Sequence, residues 1–309
     1  MNPDLSVALG PLRLKNPVMS ASGTFGYGVE FAPFYDIARL GAVVVKGLSL
    51  APAPGNPPDR IVETAAGMLN AIGLQNIGVE RFVEEVVPRL EAMGASTVAN
   101  IYGRTVEEYE AVAGRLSEVP SLCAIEINAS CPNVREGGMA FGATPDGIAR
   151  LTAAVRKRTA KPLWVKLSPN VADIGAVAVA AEGAGADAVS LINTIVGMAV
   201  DHRTRRPKLS NVTGGLSGPA IKPVALRMVW ETCRRVAIPV IGIGGIQTAA
   251  DALEFLLVGA AAVQVGTANF RNPRACVEIV EGIEAFFREE RIPGLDAYRG
   301  SLSLDRNGL

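Results

Sequence analysis

The segment Ile125–Val134 joins an apolar strand to a cluster of polar side chains, which makes it the stretch best suited to chemistry. Residues 128–134 contain two asparagines, a serine, a cysteine and a proline. A thiol has an ordinary pKa near 8.5, so modest tuning makes Cys131 a base near neutral pH. Many lone cysteines are instead small buried hydrophobic residues. The strand end and the polar neighbours favour a chemical role for Cys131.

The composition is that of a globular chain without a charge bias. Of its 309 residues, 49% are hydrophobic and 19% are charged, and 30 basic residues balance 30 acidic ones. A net charge of zero gives no attraction to nucleic acid or to anionic membranes. No apolar run approaches the ~18 residues of a membrane span, and the N-terminus carries no secretion signal. We therefore expect a cytoplasmic protein with no nucleic-acid or membrane partner.

The cysteines and the single histidine limit the possible metal chemistry. Cys123, Cys131, Cys233 and Cys276 lie far apart, without a C-x-x-C pair. This spacing fits reduced thiols and argues against an iron–sulfur cluster or a structural zinc within this chain. His202 lies in a charged run, so triads and metal sites that need several histidines are excluded within one chain. We expect no metal site.

Short β-branched runs alternate with amphipathic segments about eight times along the chain. The strand candidates are Val18–Ser20, Ala42–Lys46, Thr97–Ile101, Ala124–Asn128, Leu163–Lys166, Ala188–Ile192, Val240–Gly242 and Ala262–Val265. The helix candidates, several of which begin with a capping Thr or Asp, are Val79–Met93, Thr105–Leu116, Thr144–Arg158, Asp173–Ala184, Lys222–Val236 and Thr248–Val258. Strands that are apolar throughout and separated by helices indicate a parallel sheet covered on both faces.

Eight such units in 309 residues favour an α/β fold of the (β/α)8 TIM-barrel type over an open sheet. We expect residues 1–309 to form this barrel as a single domain. We also predict an N-terminal β-hairpin that covers the bottom of the barrel, with strands Leu5–Ala8 and Leu12–Leu14. Long loops after strands 2 and 6, residues 48–78 and 194–219, would leave from the C-terminal face, where barrel active sites are built.

Carboxamides and lysines end five of the predicted strands. These residues are Lys46, Asn100, Asn128, Lys166 and Asn193. A single asparagine is often only a turn residue, but turns do not explain five strand ends of this kind. A lysine that closes an apolar strand is costly unless it faces an anion or an electron-rich ring.

Glycines follow predicted strands 7 and 8, at Gly244-Gly245 and Gly266-Thr267. Turns of this kind before helix N-termini form the phosphate site of the barrel fold, although these glycines could also serve only to close tight turns. The run Gly214–Pro219 could close over the same phosphate. A phosphate site, two lysines and a ring of carboxamides together suit flavin mononucleotide (FMN), with a planar heterocyclic substrate stacked on its ring.

Seven runs, in consistent order between residues 5 and 288, closely resemble the class 1 dihydroorotate dehydrogenases. They are Ala21–Gly26, Asn70–Asn76, Asn128–Val134, Val165–Asn170, Leu191–Thr194, Asn211–Ala220 and Gln264–Phe270. The cysteine at the position of the catalytic base, Cys131, resembles that of the class 1 enzymes. The Leu191–Thr194 run and the beginning of the Asn211–Ala220 run resemble class 1B, the NAD-linked type.

The resemblance implies a role for each matching position, with Cys131 as the general base. The residues implied to hold FMN are Ser22, Lys46, Gly47, Asn100, Asn128, Lys166, Ile192, Gly218, Gly244, Gly245, Gly266 and Thr267. The residues implied to bind dihydroorotate are Lys46, Asn70, Ala71, Ile72, Gly73, Leu74, Asn128, Asn193 and Thr194.

The implied reaction is the oxidation of dihydroorotate to orotate in pyrimidine biosynthesis. Cys131 would remove the C5 proton while hydride passes from C6 to N5 of FMN. Electrons would reach NAD through a partner subunit that carries FAD and a 2Fe-2S cluster, in a heterotetramer built on a dimer of this chain.

Other functions share parts of this pattern. They include a related FMN-dependent dihydropyrimidine reductase, a fumarate-linked class 1A enzyme, a flavin-free barrel lyase or isomerase acting on a phosphosugar, and a non-catalytic binding scaffold. The lysine at position 46 favours a carboxylated pyrimidine over the substrates of the reductase.

Overall fold

Eight parallel strands form a closed barrel within residues 3–129, 135–136 and 139–304, which this computed structural model describes. In chain order, barrel strands 1 to 8 are Val18–Ser20, Val43–Val44, Thr97–Ile101, Leu122–Asn128, Leu163–Lys166, Ala188–Leu191, Val240–Ile243 and Ala262–Val265. Strands 2 to 8 pair in sequence order, strand 8 pairs with strand 1, and an isolated parallel bridge between Met19 and Ala42 joins strands 1 and 2. The predicted (β/α)8 barrel is confirmed.

Helices separate the barrel strands and cover their outer side. They are Val79–Arg81, Phe82–Val86 and Val87–Ala92 in succession, then Val106–Ser117, Pro145–Arg156, Ile174–Gly183, Lys222–Cys233, Ala249–Leu257, Ala268–Arg271, Ala275–Glu289 and Leu295–Tyr298. Single 3-10 turns are Val29–Phe31, Ile37–Arg39, Phe141–Ala143 and Pro219–Ile221. Over the described ranges, none of these helices combines the length and the apolar character that crossing a bilayer needs.

The helix starts follow from their capping residues. Thr105, Thr144, Asp173 and Thr248 each accept a hydrogen bond from the backbone N–H three residues further on. Such caps satisfy a donor that the first helical turn leaves free. The six predicted helices are therefore present, with ends that differ from the prediction by three residues or fewer. Ala275–Glu289 was not predicted, although its apolar residues recur at helical spacing.

Two local differences from the prediction have clear causes. Pro88 has no N–H, and the helix before it widens into a π turn in which Val87 N–H bonds to Phe82 O. Strand 2 is shorter than predicted because Lys46 N–H donates to Gly26 O at 2.9 Å instead of to strand 3. This turn removes Lys46 from the strand at the carboxyl end of the barrel.

An N-terminal hairpin covers the amino ends of the barrel strands, as predicted. Its strands are Val7–Leu9 and Leu12–Leu14, so the first lies slightly later than expected. Gly10 turns the chain with φ 62°, and a methyl group on it would lie 2.8 Å from Cβ of Asp187, directly before strand 6. Leu9, at the end of the first strand of the hairpin, is fully buried. The hairpin therefore closes the end of the barrel opposite the predicted site.

The two long connections after strands 2 and 6 pair with each other above the carboxyl ends of the strands. They form an antiparallel sheet in the order Ile195–Met198, Thr213–Ser217, Gly67–Asn70 and Ile61–Thr64. Gly215 lies opposite Asn70 in its register. Short two-residue ribbons are Val200–Asp201 with Arg206–Pro207, and Arg135–Glu136 with Met139–Ala140. The sequence predicted two separate loops, and the structure shows one layer.

Asp251 joins the two helices beside the turn after strand 7. Its Oδ2 accepts a hydrogen bond from Thr248 N–H at 2.9 Å, which completes a capping box, and its Oδ1 accepts one from Lys222 Nζ at 2.6 Å. Burial raises the pKa of Asp251, but the hydrogen bonds from Lys222 and the capping donors outweigh it and lower the pKa overall. This contact fixes the helix that begins at Lys222 against the Gly244-Gly245 turn.

Replacing Asp251 by alanine should lower the free energy of unfolding by about 2 kcal/mol at pH 7, since both the cap and the ion pair are lost. Urea unfolding of the two proteins measures the difference. Because the pKa of Asp251 is lower in the fold, its contribution should be complete above pH ~4 and should disappear as the pH falls through the folded pKa.

The matched control is Asp296→Ala, whose carboxylate lies 3.6 Å from Arg299 with 92% of the side chain exposed. Exposed ion pairs contribute little, so this variant should unfold like the parent protein. Equal unfolding midpoints for all three proteins would contradict the assigned role of Asp251.

Candidate functional site

The polar residues that end strands 4, 5 and 6 lie side by side at the carboxyl end of the barrel. Lys166 is in register with Asn128 on one side and with Ser190 on the other. Asn193 Nδ2 donates to Asn128 Oδ1 at 3.2 Å, and Tyr109 OH donates to Asn128 O at 2.8 Å. The structure therefore brings together the strand-end residues that the sequence predicted would meet.

A buried carboxylate forms the floor beneath these residues. Glu126 is fully buried in strand 4. Its Oε1 accepts from Asn100 Nδ2 at 2.7 Å, and its Oε2 accepts from Ser190 Oγ at 2.8 Å and from Gln264 Nε2 at 2.7 Å. These bonds tie strands 3, 4, 6 and 8 together across the barrel interior. Neither Glu126 nor Gln264 was singled out from the sequence.

Two amide oxygens of this floor accept no hydrogen bond from the part of the chain that the structure describes. They are Asn100 Oδ1 and Gln264 Oε1, both buried. Asn100 Oδ1 lies beside Gly47, where a methyl group would approach it to 2.9 Å. A buried acceptor is costly without a donor, so the Asn100 oxygen suits a ligand that carries an N–H group.

The two strand-end lysines lie in different surroundings. Lys166 is only 6% exposed. Burial lowers its pKa, and the nearby carboxylate of Glu126 acts in the opposite direction. Lys46 is half-buried, and both burial and the charge of Arg60 lower its pKa. Lys46 and Arg60 therefore form a pair of cations that favours an anion, while Lys166 has a buried counter-charge.

Arg60 was missed by the sequence analysis because it lies within the long connection after strand 2. Its Nη2 donates to Gln75 Oε1 at 2.7 Å, and its Nη1 donates to Asn56 O at 3.2 Å. These bonds hold the guanidinium beside the Asn70–Leu74 run. The sequence did contain a signal for it, because Arg60 directly precedes Ile61–Thr64, a segment rich in β-branched residues that forms a strand.

The Asn70–Leu74 run is held against the connection after strand 6. Leu74 has a positive φ of 58°, and its carbonyl accepts hydrogen bonds from Asn76 Nδ2 and Tyr102 OH. Asn70 Nδ2 donates to Gly215 O at 3.4 Å. A methyl group at Gly215 would overlap with Thr194 Oγ1, so Gly215 brings Asn70, from the connection after strand 2, close to Thr194, from the connection after strand 6. A strained non-glycine residue in a well-bonded loop is common at ligand sites.

The glycine turns after strands 7 and 8 meet the end of the connection after strand 6. Gly244 and Gly245 have φ values of 128° and 74°, and a methyl group at Gly245 would lie 2.6 Å from Cβ of Lys222. Thr267 Oγ1 donates to Ser217 Oγ at 2.8 Å, next to Gly218. The positive φ values and the close approach to Lys222 therefore explain why glycine is needed in the Gly244-Gly245 turn. Phosphate binding at this turn stays a prediction.

The remaining predicted residues are placed as follows. Ile192 is buried beside Gly244, and Ser22 is partly exposed after strand 1, next to the Ala21 side chain that faces Gly266. Cys131 lies outside the described residues, so its role as the general base also stays a prediction. Across the described ranges, no group of three or more His, Cys, Asp or Glu side chains is placed to hold a metal ion.

Comparison with known proteins assigns the chain to a family. A family model described as dihydroorotate dehydrogenase matches residues 4–287. Proteins of Trichlorobacter lovleyi and Pelobacter propionicus named dihydroorotate dehydrogenase B (NAD(+)), catalytic subunit, are 57% and 56% identical over 302 residues, which is 98% of this chain and 99% of each relative. One of the same name from Geotalea uraniireducens is 55% identical over 300 residues, which is 97% of this chain and 98% of that protein. The chain therefore belongs to the dihydroorotate dehydrogenase family.

Proposed function

We propose that this chain is the FMN-binding catalytic subunit of an NAD-linked dihydroorotate dehydrogenase that oxidises dihydroorotate to orotate in cytoplasmic pyrimidine biosynthesis. The names of its full-length relatives support this assignment. The structural observation that carries it is the convergence of Asn128, Lys166 and Asn193 above the floor formed by the buried Glu126 and Asn100. Such a set of donors and acceptors suits a planar ring with alternating N–H and C=O groups.

The residues that are present fit FMN. Asn100 Oδ1 is a buried acceptor without a donor from the described residues, which matches an N–H of a flavin ring. At Gly266 a methyl group would make only ordinary contacts, the nearest with Cβ of Ala21 at 3.6 Å, so the backbone there is not crowded. Gly244, Gly245 and Gly218 would hold the phosphate with Gly266 and Thr267. Ser22, Gly47, Asn128, Lys166 and Ile192 would line the ring.

Dihydroorotate would lie between that ring and the layer made by the two long connections. Its carboxylate would face the cations Lys46 and Arg60, whose charges are close enough for Arg60 to lower the pKa of Lys46. Its ring amides would bond to the Asn70–Leu74 run, to Asn128, and to Asn193 and Thr194. The antiparallel layer would exclude water from this space.

The proton and the hydride leave opposite faces of the substrate, so a base is needed on the side away from the flavin. Cys131, in the segment after strand 4, would take the C5 proton as a thiolate. FMN, when bound, supplies the hydride acceptor for C6. Lys166 would place a cation at the ring, and Asn128 and Asn193, which hydrogen-bond each other, would fix the substrate plane.

Electrons would leave through a partner subunit that carries FAD and a 2Fe-2S cluster, with NAD as the final acceptor, in a dimer of this chain flanked by two partner chains. Phe34 and Phe270, which are 50% and 56% exposed, follow strands 1 and 8. Arg274 Nη1 joins their segments by donating to Phe34 O at 2.9 Å. Phe270 lies one helical turn after Gly266 and Thr267, and the surface formed by Phe34 and Phe270 would receive the partner.

Replacing Cys131 by serine should lower turnover at pH 7 by about 100-fold or more while the protein keeps its yellow flavin, because a hydroxyl is far less acidic than a thiol. The pH optimum should move to alkaline values. Dihydroorotate oxidation with an artificial acceptor, followed from pH 6 to 10, measures both effects.

The matched control for Cys131→Ser is Cys233→Ser. Burial raises the pKa of Cys233 to about 12, and Cys233 lies at the end of a helix near the bottom of the barrel. This variant should keep the parent turnover and pH profile. Near-normal turnover of Cys131→Ser at pH 7 would exclude Cys131 as the base.

The two lysines should differ in what their loss affects. Lys46→Ala should raise KM for dihydroorotate by about tenfold or more with FMN retained, and Arg60→Ala should act in the same direction. Lys166→Ala should instead weaken FMN retention and lower the flavin potential, because a buried cation at the ring is lost. Flavin content and substrate titrations separate these effects, and the same defect in both lysine variants would refute the division.

Purified alone, the chain should reduce artificial acceptors but not NAD, and adding the partner should restore NAD reduction. Phe34→Glu and Phe270→Glu should lower the partner-dependent rate by about tenfold while dye reduction is unchanged. Val179→Glu, at a 42% exposed position on the helix Ile174–Gly183, is the control and should have no effect. Full NAD reduction by the chain alone would rule out the need for a partner.

A further inference from the structure

Glu126 is a charged residue in the middle of an apolar strand, and no step of the proposed reaction uses it. It is fully buried and bonded to the side chains of Asn100, Ser190 and Gln264 at 2.7–2.8 Å. Lys166, also buried, lies close enough for the carboxylate to act on its charge. A buried carboxylate with this many partners is retained for more than packing.

The hydrogen bonds of Glu126 determine which way two side-chain amides point. An ionised carboxylate only accepts hydrogen bonds, whereas an amide end presents either two N–H donors or an oxygen. The amide nitrogens of Asn100 and Gln264 must therefore face Glu126, and their oxygens must face away. Those oxygens, Asn100 Oδ1 and Gln264 Oε1, are the same two buried acceptors that the described residues leave without a donor.

Without a charged partner, an asparagine amide can rotate by half a turn with little change in shape. Asn100 would then present N–H donors instead of an oxygen beside Gly47, at the ring site assigned to FMN. A donor placed against a flavin N–H is repulsive, so the orientation of this one amide decides between attraction and repulsion.

We propose that Glu126 is a positioning residue, whose carboxylate fixes the Asn100 amide so that Oδ1 accepts a hydrogen bond from an N–H of the bound flavin ring. This inference rests on the proposed binding of FMN. Ser190 supports the carboxylate but does not itself present an acceptor to the ring. Glu126 would thus act on the cofactor through Asn100. The link between them is the hydrogen bond of 2.7 Å from Asn100 Nδ2 in strand 3 to Glu126 Oε1 in strand 4.

The test compares Glu126→Gln with Ser190→Ala in the FMN-loaded protein. Glutamine has the same size but only one oxygen, which cannot accept from Asn100 on one side and from Ser190 and Gln264 on the other, so the side chain at position 126 no longer fixes the Asn100 amide in one orientation. Glu126→Gln should raise the dissociation constant of FMN by about tenfold or more and shift the flavin absorbance spectrum. Ser190→Ala removes a bond to the same carboxylate and should change FMN affinity less than about threefold, although it also lowers the melting temperature.

The FMN affinities of the two variants determine whether Glu126 has a positioning role. If Glu126→Gln binds FMN as tightly and with the same spectrum as the parent, or if Ser190→Ala loses FMN equally, Glu126 has no positioning role. If the parent protein itself binds no FMN, the proposed function fails and this inference fails with it. An unchanged Glu126→Gln beside a parent that binds FMN refutes only the inference.

A measurement on the parent protein keeps the proposal open to refutation if Glu126→Gln does not fold. Neutron diffraction from crystals of the deuterated FMN-loaded protein distinguishes the ND2 group of Asn100 from its oxygen. The oxygen should face the flavin ring and the ND2 group should face Glu126. The opposite orientation would overturn the proposal.

Discussion

The burial of one carboxylate inside an apolar barrel is the constraint on which the geometry of the site depends. Taking a charge out of water is costly unless it is fully bonded, and Glu126 meets this requirement with side chains from three other strands. The bonds reach across the barrel and lie one layer below Asn128 and Lys166. The positions of the strand ends are therefore set by a rigid polar floor, and each amide in it has only one favourable orientation.

A second level of order comes from the pairing of the two long connections. Each leaves the barrel at a different strand, and neither could bury its backbone polar groups alone. Paired as an antiparallel sheet, with Gly215 opposite Asn70, they satisfy each other and form a layer over the strand ends. Gly215 is needed there because a side chain would overlap with Thr194. Asn70 and Thr194, which we propose bind the substrate, are thus both positioned by contacts with Gly215.

The charges are distributed to match this layering. Lys166 is deep and has the Glu126 carboxylate nearby as a buried counter-charge. Lys46 and Arg60 are nearer the surface and reinforce each other, which lowers the pKa of Lys46 and leaves positive charge for an incoming anion. A chain with zero net charge thereby places two cations together at the carboxyl end of the barrel, where the proposed carboxylate would bind.

Much of the fold could be predicted because its signals are local. Apolar strands, helical periodicity and capping residues such as Thr105 and Asp173 each act within a few residues, and eight repeats leave few ways to arrange a parallel sheet. Closure of the barrel then brings the ends of the strands together, so the convergence of Asn100, Asn128 and Lys166 also followed from the sequence. The boundary of strand 2 did not, because the bond from Lys46 to Gly26 joins distant segments.

The rest was decided by tertiary structure. The partners of Glu126 lie 26, 64 and 138 residues away, and no sequence period connects them. Arg60 acquires its role only because the connection after strand 2 folds back towards Lys46. The sequence by itself determined a barrel with chemistry at its carboxyl face. Only the tertiary structure decided which end of each amide faces Glu126 and which cations stand together, because long-range contacts and desolvation, rather than local propensity, set those choices.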